Sequence, residues 1–225
     1  MGTPRTPKGR IKAISALLAV EYPEALCELD HRNAFELLTA TILSAQTTDA
    51  RVNLVTPALF AKYPDAAALA GALPGELEDL VRSTGFYHSK ARNLIAMAQS
   101  LLDRFGGDVP TERDDLVTLA GVGRKTANVV RSVALGLPGL PVDTHVGRLT
   151  RKWGLATQDD PVKVEAELCA LLPPAEWGDF SLRTILHGRR VCDAKKPQCD
   201  KCTIEPMCPA SLLPRGLSQR AALTA

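Results

Sequence analysis

The residues best suited to chemistry lie in the second half of the chain. Lys125 follows the short turn Gly121-Val122-Gly123 and brings a primary amine to the start of a predicted helix, next to Arg124. Asp143 stands at the start of a later predicted helix, where its carboxylate can accept backbone N–H bonds as an N-cap. A carboxylate held in this way stays ionised and fixed in direction, which suits a base or an electrostatic stabiliser. The ordinary interpretation of Asp143 is a helix cap alone, and capping is compatible with chemistry.

The glycine turn predicts a phosphate-binding site. Gly121 and Gly123 are expected to allow positive φ and to let the backbone approach a ligand closely. The N–H groups that open the following helix lack partners inside it and bind anions. Arg124 and Lys125 place two cations where the helix dipole favours anions, which costs stability unless a polyanion lies there. Residues 114–135 are therefore predicted to form a helix-hairpin-helix, although a capped turn with a solvated basic face fits a lone glycine motif equally well.

Clustered cysteines predict a metal site. Their spacing is C-x6-C-x2-C-x5-C, at Cys192, Cys199, Cys202 and Cys208. With no secretion signal and no run of about 20 apolar residues, we expect a cytoplasmic protein, in which clustered thiols bind metal rather than form disulfides. The residues leave zinc and an iron–sulfur cluster open, although zinc ribbons tend to use two C-x2-C pairs. Cys27 and Cys169 are expected in apolar helices as inert core residues.

The sequence resembles the endonuclease III family of DNA glycosylases. The resemblance is carried by LAGVGRKTANVV, by LPVDTHVGRL, by Ser44-Ala45-Gln46 and by the cysteine spacing, so it covers most of the chain. One departure is Ala120, where such hairpins usually carry proline. The cysteine spacing matches the cluster loop of this family, and the resemblance therefore implies a [4Fe–4S] cluster.

The resemblance implies a bifunctional DNA glycosylase and AP lyase of base excision repair, acting on duplex DNA with an oxidised pyrimidine or an abasic site. Lys125 would attack C1′ of the extruded nucleotide, with Arg124 and partial burial favouring its neutral amine. Asp143 would stabilise the oxocarbenium-like transition state, and the resulting Schiff base would permit β-elimination. Two alternatives remain open: a monofunctional glycosylase of the adenine or mismatch-thymine type, and a non-enzymatic hairpin module that binds DNA.

DNA contacts also follow from the resemblance. Gln46 would fill the space that the extruded base leaves, and Phe86 would intercalate between base steps. From the pattern alone, a hydrophobic staple is the commoner role for a residue such as Phe86. Basic residues inside the first cysteine interval would bind phosphate, or simply form a solvated loop. The remaining expected DNA contacts are Gly121, Gly123, Arg124, Lys195, Lys196 and His145, although extending the cap of its helix is an equally good role for His145.

Composition predicts an all-α protein, because Ala and Leu fill the volume and only 4% of the 225 residues are aromatic. The resemblance implies two helical domains with the active site in the groove between them. These are a six-helix barrel over residues 27–137 and a cluster domain of residues 1–26 plus 138–225. The net charge of +2 does not diagnose a DNA-binding protein, although both ends are more basic than the middle. We expect a monomer that associates with the nucleoid through DNA.

Overall fold

The described part of the chain is helical throughout. A computed structural model describes residue 4 and residues 6–214; residues 1–3, 5 and 215–225, at the ends of the predicted cluster domain, lie outside the described residues. The α-helices are α1 (Pro7–Glu21), α2 (Ala34–Leu43), α3 (Asp49–Lys62), α4 (Ala66–Ala70), α5 (Pro74–Val81), α6 (Tyr87–Phe105), α7 (Arg113–Leu116), α8 (Arg124–Val129), α9 (Thr144–Lys152), α10 (Pro161–Cys169) and α11 (Trp177–Arg190). No strand occurs in these ranges, so the all-α prediction is confirmed. None of the described helices is long and apolar enough to cross a lipid bilayer.

The described residues pack as two compact units, one within residues 27–139 and the other within residues 1–26 and 140–225. The centre of the first unit is α2, which is buried along its whole length from Phe35 to Leu43. Its sequence is apolar on nearly every side, and such a helix is stable only when other helices surround it. Asn33 caps its start by accepting a 2.9 Å hydrogen bond from the N–H of Glu36.

The long helix α6 packs in the same unit through one apolar stripe. Leu94, Met97 and Leu101 recur at helical spacing and are fully buried. The helix stops at Gly106, whose φ of 63° is the left-handed conformation that commonly ends helices. The stripe fixes which side of α6 faces the core, and therefore where the residues of its first turn point.

The second unit is assembled from both ends of the chain. The described part of α1 buries Ile11, Ile14 and Leu18 in a core that also contains Trp153 and Phe180. The apolar spacing of α1 is therefore satisfied by segments more than a hundred residues away in sequence. Three of the four clustered cysteines, Cys192, Cys202 and Cys208, border the same core and are partly buried.

Candidate functional site

The glycine turn between α7 and α8 has the tight geometry that its sequence predicts. Gly121 has a φ of 78°, and a Cβ there would lie 3.2 Å from the Cβ of Asn93 and 3.3 Å from Cγ2 of Ile42. Both the backbone conformation and the space therefore require glycine at this position. Gly123 is different: its φ is −94° and its ψ is 174°, so the expected positive φ is wrong there. Nothing lies within 4 Å of a Cβ at Gly123, and glycine leaves the start of α8 open.

The first turn of α8 presents the two predicted cations. Lys125 is exposed and Arg124 is half-buried, and this turn contains no acidic residue. The partial burial expected for Lys125 is therefore wrong for the protein alone. The π-helical turn Val130–Ala134 continues α8, so the helical segment that carries Lys125 is longer than α8 by itself.

Asp143 caps α9, as predicted. Its Oδ1 accepts a 2.8 Å hydrogen bond from the N–H of Val146, and its side chain is half-buried. The segment before it is fixed by a contact that the sequence analysis missed: the hydroxyl of Ser181 on α11 donates a 2.6 Å hydrogen bond to the carbonyl of Pro141. The direction of the Asp143 carboxylate is thus set by its own helix and by a neighbouring helix.

His145 lies in the first turn of α9 and packs against α11. A Cβ at Gly188 would lie only 2.7 Å from Nδ1 of His145, so glycine is needed for the ring to fit. The same ring nitrogen lies 3.4 Å from Nη2 of Arg148. The ring is therefore positioned between a glycine surface and a guanidinium, and its predicted DNA contact stays a prediction.

Gln46 and Phe86 share a rare backbone conformation. Among the described residues they are the only non-glycine residues with positive φ, at 56° and 48°. Both side chains are exposed, and the fraction is 66% for Phe86. A hydrophobic staple would bury this ring, so that alternative for Phe86 does not hold. Positive φ costs energy for residues with a Cβ, and such strain is concentrated at functional sites.

The loops that carry Gln46 and Phe86 are joined by a buried lysine to which the sequence analysis assigned no role. Nζ of Lys90 donates a 2.7 Å hydrogen bond to the carbonyl of Leu43 and a 2.8 Å hydrogen bond to the carbonyl of Thr84. Lys90 is 4% exposed, and its burial lowers the pKa of the ammonium. The sequence does indicate that Lys90 is buried, because it lies four residues before Leu94 and therefore on the buried stripe of α6.

The clustered cysteines surround one cavity. All four are free thiols, and they line it together with Lys152, Trp153 and Pro197. Burial raises the pKa of Cys202 to about 12 and also raises that of Cys208, so these thiols favour their protonated form without a cation nearby. Among the described residues, no group of three or more His, Cys, Asp and Glu side chains is placed to hold a single metal ion.

Polar groups next to the thiols come from two helices, α9 and α11. Nη1 of Arg148 lies 3.9 Å from Sγ of Cys192, and Nε2 of the buried His187 lies 3.4 Å from Sγ of Cys202. On the other side of its ring, Nδ1 of His187 lies 3.3 Å from the hydroxyl of Tyr22 and 3.6 Å from Oε1 of Glu21. This contact connects the end of α1 with the cysteine loop.

The basic part of the cysteine loop is shaped by a carboxylate. Oδ1 of Asp193 accepts hydrogen bonds from the N–H groups of Lys195 and Lys196, at 2.8 and 3.1 Å, and these bonds lower its pKa. Both lysine side chains are exposed. Outside the loop, Cys169 ends α10 as expected, whereas Cys27 lies in a non-helical segment, so its predicted helix is wrong.

Comparisons with known proteins cover most of the chain. Residues 39–174 match the family described as "HhH-GPD superfamily base excision DNA repair protein". A protein named Endonuclease III from Synechocystis is 48% identical over 205 residues, which are 91% of this chain and 94% of that protein. The solved "Structure of a non-covalent Endonuclease III-DNA Complex" has a TM-score of 0.85 at 44% identity and covers 91% of this chain and 96% of its own. The "Structure of a Trapped Endonuclease III-DNA Covalent Intermediate: Estranged-Adenine Complex" has a TM-score of 0.86 at 45% identity, with the same coverage.

Proposed function

The chain belongs to the endonuclease III family of the HhH-GPD superfamily, and from this premise we propose that it is a bifunctional DNA glycosylase and AP lyase of base excision repair. Its substrate is duplex DNA that contains an oxidised pyrimidine or an abasic site, and nucleoid association follows from that substrate. The observation that carries the proposal is Lys125, an exposed amine in the first turn after the glycine turn. A relative at 45% identity has been captured as a covalent intermediate with DNA, which supports an amine nucleophile.

In this proposal, Lys125 forms the covalent bond to DNA. Its neutral Nζ attacks C1′, the bond from C1′ to the base breaks, and the base leaves with the bonding electrons and takes up a proton. Loss of a proton from nitrogen and opening of the sugar give a Schiff base. This cation acidifies the proton on C2′; its removal expels the 3′ phosphate by β-elimination, and water then releases the lysine.

Asp143 acts as an electrostatic stabiliser and proton acceptor in the same reaction. The positive charge that develops on the sugar is stabilised by a carboxylate that is already oriented by the N–H of Val146. The same carboxylate accepts the proton that Lys125 loses on attack. Because Lys125 is exposed in the protein alone, we propose that bound DNA and this carboxylate together, rather than burial in the free protein, produce the reactive amine.

The DNA contacts are proposed from exposure and position. Gln46 and Phe86 are exposed on loops of the 27–139 unit and would occupy the space left by the extruded nucleotide. The backbone at Gly121 and Gly123, with Arg124, would hold phosphate at the start of α8. Lys195 and Lys196 would bind phosphate from the cysteine loop, and His145 would contribute from α9.

We propose that the four cysteines hold a [4Fe–4S] cluster. The donor set fits, because the four thiols line one cavity and follow the C-x6-C-x2-C-x5-C spacing, whereas zinc ribbons tend to use two C-x2-C pairs. When bound, the cluster would supply four iron–thiolate bonds that cross-link a loop with little apolar content. The protein's own contribution is the contact of Arg148 and His187 with two of the sulfurs, and the rigid presentation of Lys195 and Lys196.

The test is borohydride trapping on duplexes with one lesion. The unaltered protein should give a DNA–protein adduct and strand scission on an abasic duplex, and Lys125→Gln should give neither. Arg124→Gln is the matched control, because it removes the neighbouring cation and keeps the amine; it should weaken binding but still be trapped. A monofunctional glycosylase would release the base without an adduct, and a binding module would do neither. Strand scission by Lys125→Gln at the unaltered rate would overturn the proposal.

A further inference from the structure

We infer that Lys90 is a positioning residue: its ammonium connects the loop of Gln46 to the loop of Phe86, so that the two side chains enter damaged DNA as one unit. The inference rests on the proposed function, because it concerns how the protein holds DNA with an extruded nucleotide. Its basis is one buried Nζ that donates to two backbone carbonyls, those of Leu43 and Thr84.

The two carbonyls lie at equivalent points of their loops. Leu43 is the last residue of α2, and Thr84 is the last residue of the 3₁₀ turn Arg82–Thr84. Carbonyls at helix ends have no partner inside the helix, and a cation satisfies them well. Lys90 therefore caps two helical segments at once. Gln46 follows the first capped carbonyl by three residues, and Phe86 follows the second by two.

The position of Lys90 is unfavourable for α6 itself. It lies in the first turns of that helix, where the dipole disfavours a cation, and its burial lowers the pKa of the ammonium. Among the described residues it is the only lysine or arginine that is buried. A leucine would extend the stripe of α6 at no such cost. The cost is explained if the ammonium is needed to hold the two loops together.

The backbone of the loops supports the same role. Gln46 and Phe86 both adopt left-handed conformations, and such strain persists only where surrounding contacts fix the chain. The other hydrogen bonds are local to each loop: for example, the N–H of Thr47 donates to the carbonyl of Ser44, and the N–H of Gly85 donates to that of Arg82. The two bonds from Lys90 join one loop to the other.

The experiment is a double-mutant cycle on the full-length protein. Lys90→Met keeps the length of the side chain and removes the ammonium. We measure affinity for a duplex with a tetrahydrofuran abasic-site analogue, relative to an undamaged duplex, in the unaltered background and in a Gln46→Ala/Phe86→Ala background. Lys90→Met should lower this ratio at least 10-fold in the first background and less than 2-fold in the second, because its effect acts through those two residues.

The control separates positioning from stability. Leu101→Ala removes a buried side chain from the same helix, about three turns further along, and lowers the unfolding midpoint without contact with either loop. It should leave the affinity ratio unchanged. The inference would be overturned if Lys90→Met lowered the affinity ratio equally in both backgrounds. It would also be overturned if Leu101→Ala lowered the ratio as much as Lys90→Met does.

Folding of the variant does not limit the test. If Lys90→Met fails to fold, native-state hydrogen exchange on the unaltered protein tests the inference instead. The N–H groups of Thr47 and Gly85 should open together, so their opening free energies should depend on denaturant concentration in the same way. Independent opening would refute the connection. Borohydride trapping of the unaltered protein distinguishes the two hypotheses. If no adduct forms, the proposed function fails. If an adduct forms but the double-mutant cycle shows no coupling between Lys90 and the two loop residues, only the role of Lys90 is refuted.

Discussion

Replacing Gln46 by glycine should stabilise the protein while it weakens recognition of damaged DNA. The change removes an exposed side chain at a φ of 56°, in the turn between α2 and α3. A residue with a Cβ in the left-handed region costs roughly 1–2 kcal/mol, which glycine avoids. The greater freedom of glycine in the unfolded chain offsets roughly 0.4–1 kcal/mol of that gain. Because the side chain is exposed, little packing is lost.

The net effect is an increase of about 0.5–1 kcal/mol in the free energy of unfolding, or about 1–4 °C in the unfolding midpoint. Recognition should change in the opposite direction. Removing an amide that hydrogen-bonds in the vacated position leaves its partners unsatisfied, which costs about 1–3 kcal/mol, so affinity for the abasic analogue should fall about 5- to 150-fold relative to undamaged duplex. One substitution would thus separate stability from function.

The assay is denaturant unfolding of Gln46→Gly, Gln46→Ala and the unaltered protein, with binding measured on the same preparations. Gln46→Ala keeps the backbone strain and loses the side chain, so it should bind as weakly as Gln46→Gly without its added stability. Gln99→Gly is the matched control, because Gln99 lies inside α6, where glycine costs about 1 kcal/mol. The hypothesis is refuted if Gln46→Gly is less stable than the unaltered protein or still distinguishes abasic from intact DNA.

Three further predictions follow from the site. Asp143→Asn should keep the helix cap and lower the rates of base release and strand scission about 10²–10⁴-fold. Asp143→Ala should in addition lower the free energy of unfolding by about 1 kcal/mol. Kinetics and unfolding measured on both variants separate the catalytic role of the carboxylate from its role as a cap. Cys199→Ser should lose bound iron and sulfide in metal analysis, whereas Cys27→Ser, outside the cavity, should retain them. Lys195→Ala with Lys196→Ala should reduce the slope of log affinity against log salt by about 2, and Lys163→Ala, an exposed lysine on α10, should leave it unchanged.

The sequence predicts most clearly those features that depend on local backbone requirements. The cap at Asp143 and the left-handed Gly121 both follow from residue type and neighbouring pattern, and the structure confirms them. The deep burial of α2 follows from its all-round apolar composition. Gly123 shows the limit of this reasoning. Gly123, two positions later, has an extended backbone, because the chain does not need to reverse there. The absence of a side chain at Gly123 instead leaves the surface at the start of α8 open.

Features that depend on distant segments were not predictable in the same way. Partial burial of Lys125 is expected as part of its chemistry, but exposure is decided by what packs over a helix, and nothing in the local pattern gives that. The hydrogen bond from Ser181 to Pro141 joins positions forty residues apart. Phe86 shows the converse: its pattern favours a buried staple, and only the backbone reveals that the ring points outward from a strained conformation.

The choices that are locally unfavourable fall on the residues proposed to meet DNA and on the residue proposed to position two of them. Gln46 and Phe86 occupy backbone conformations suited to glycine, Arg124 and Lys125 stand at a helix start that disfavours cations, and Lys90 places a charge inside a core. Natural sequences are mostly consistent between local preference and fold, and departures occur where function requires them. DNA with an extruded nucleotide explains the strained residues and the cations directly. Its phosphates neutralise Arg124 and Lys125, and the gap in its base stack accepts the side chains of Gln46 and Phe86. The same DNA explains the buried charge of Lys90, because only a rigid pair of loops can insert two side chains at a fixed separation.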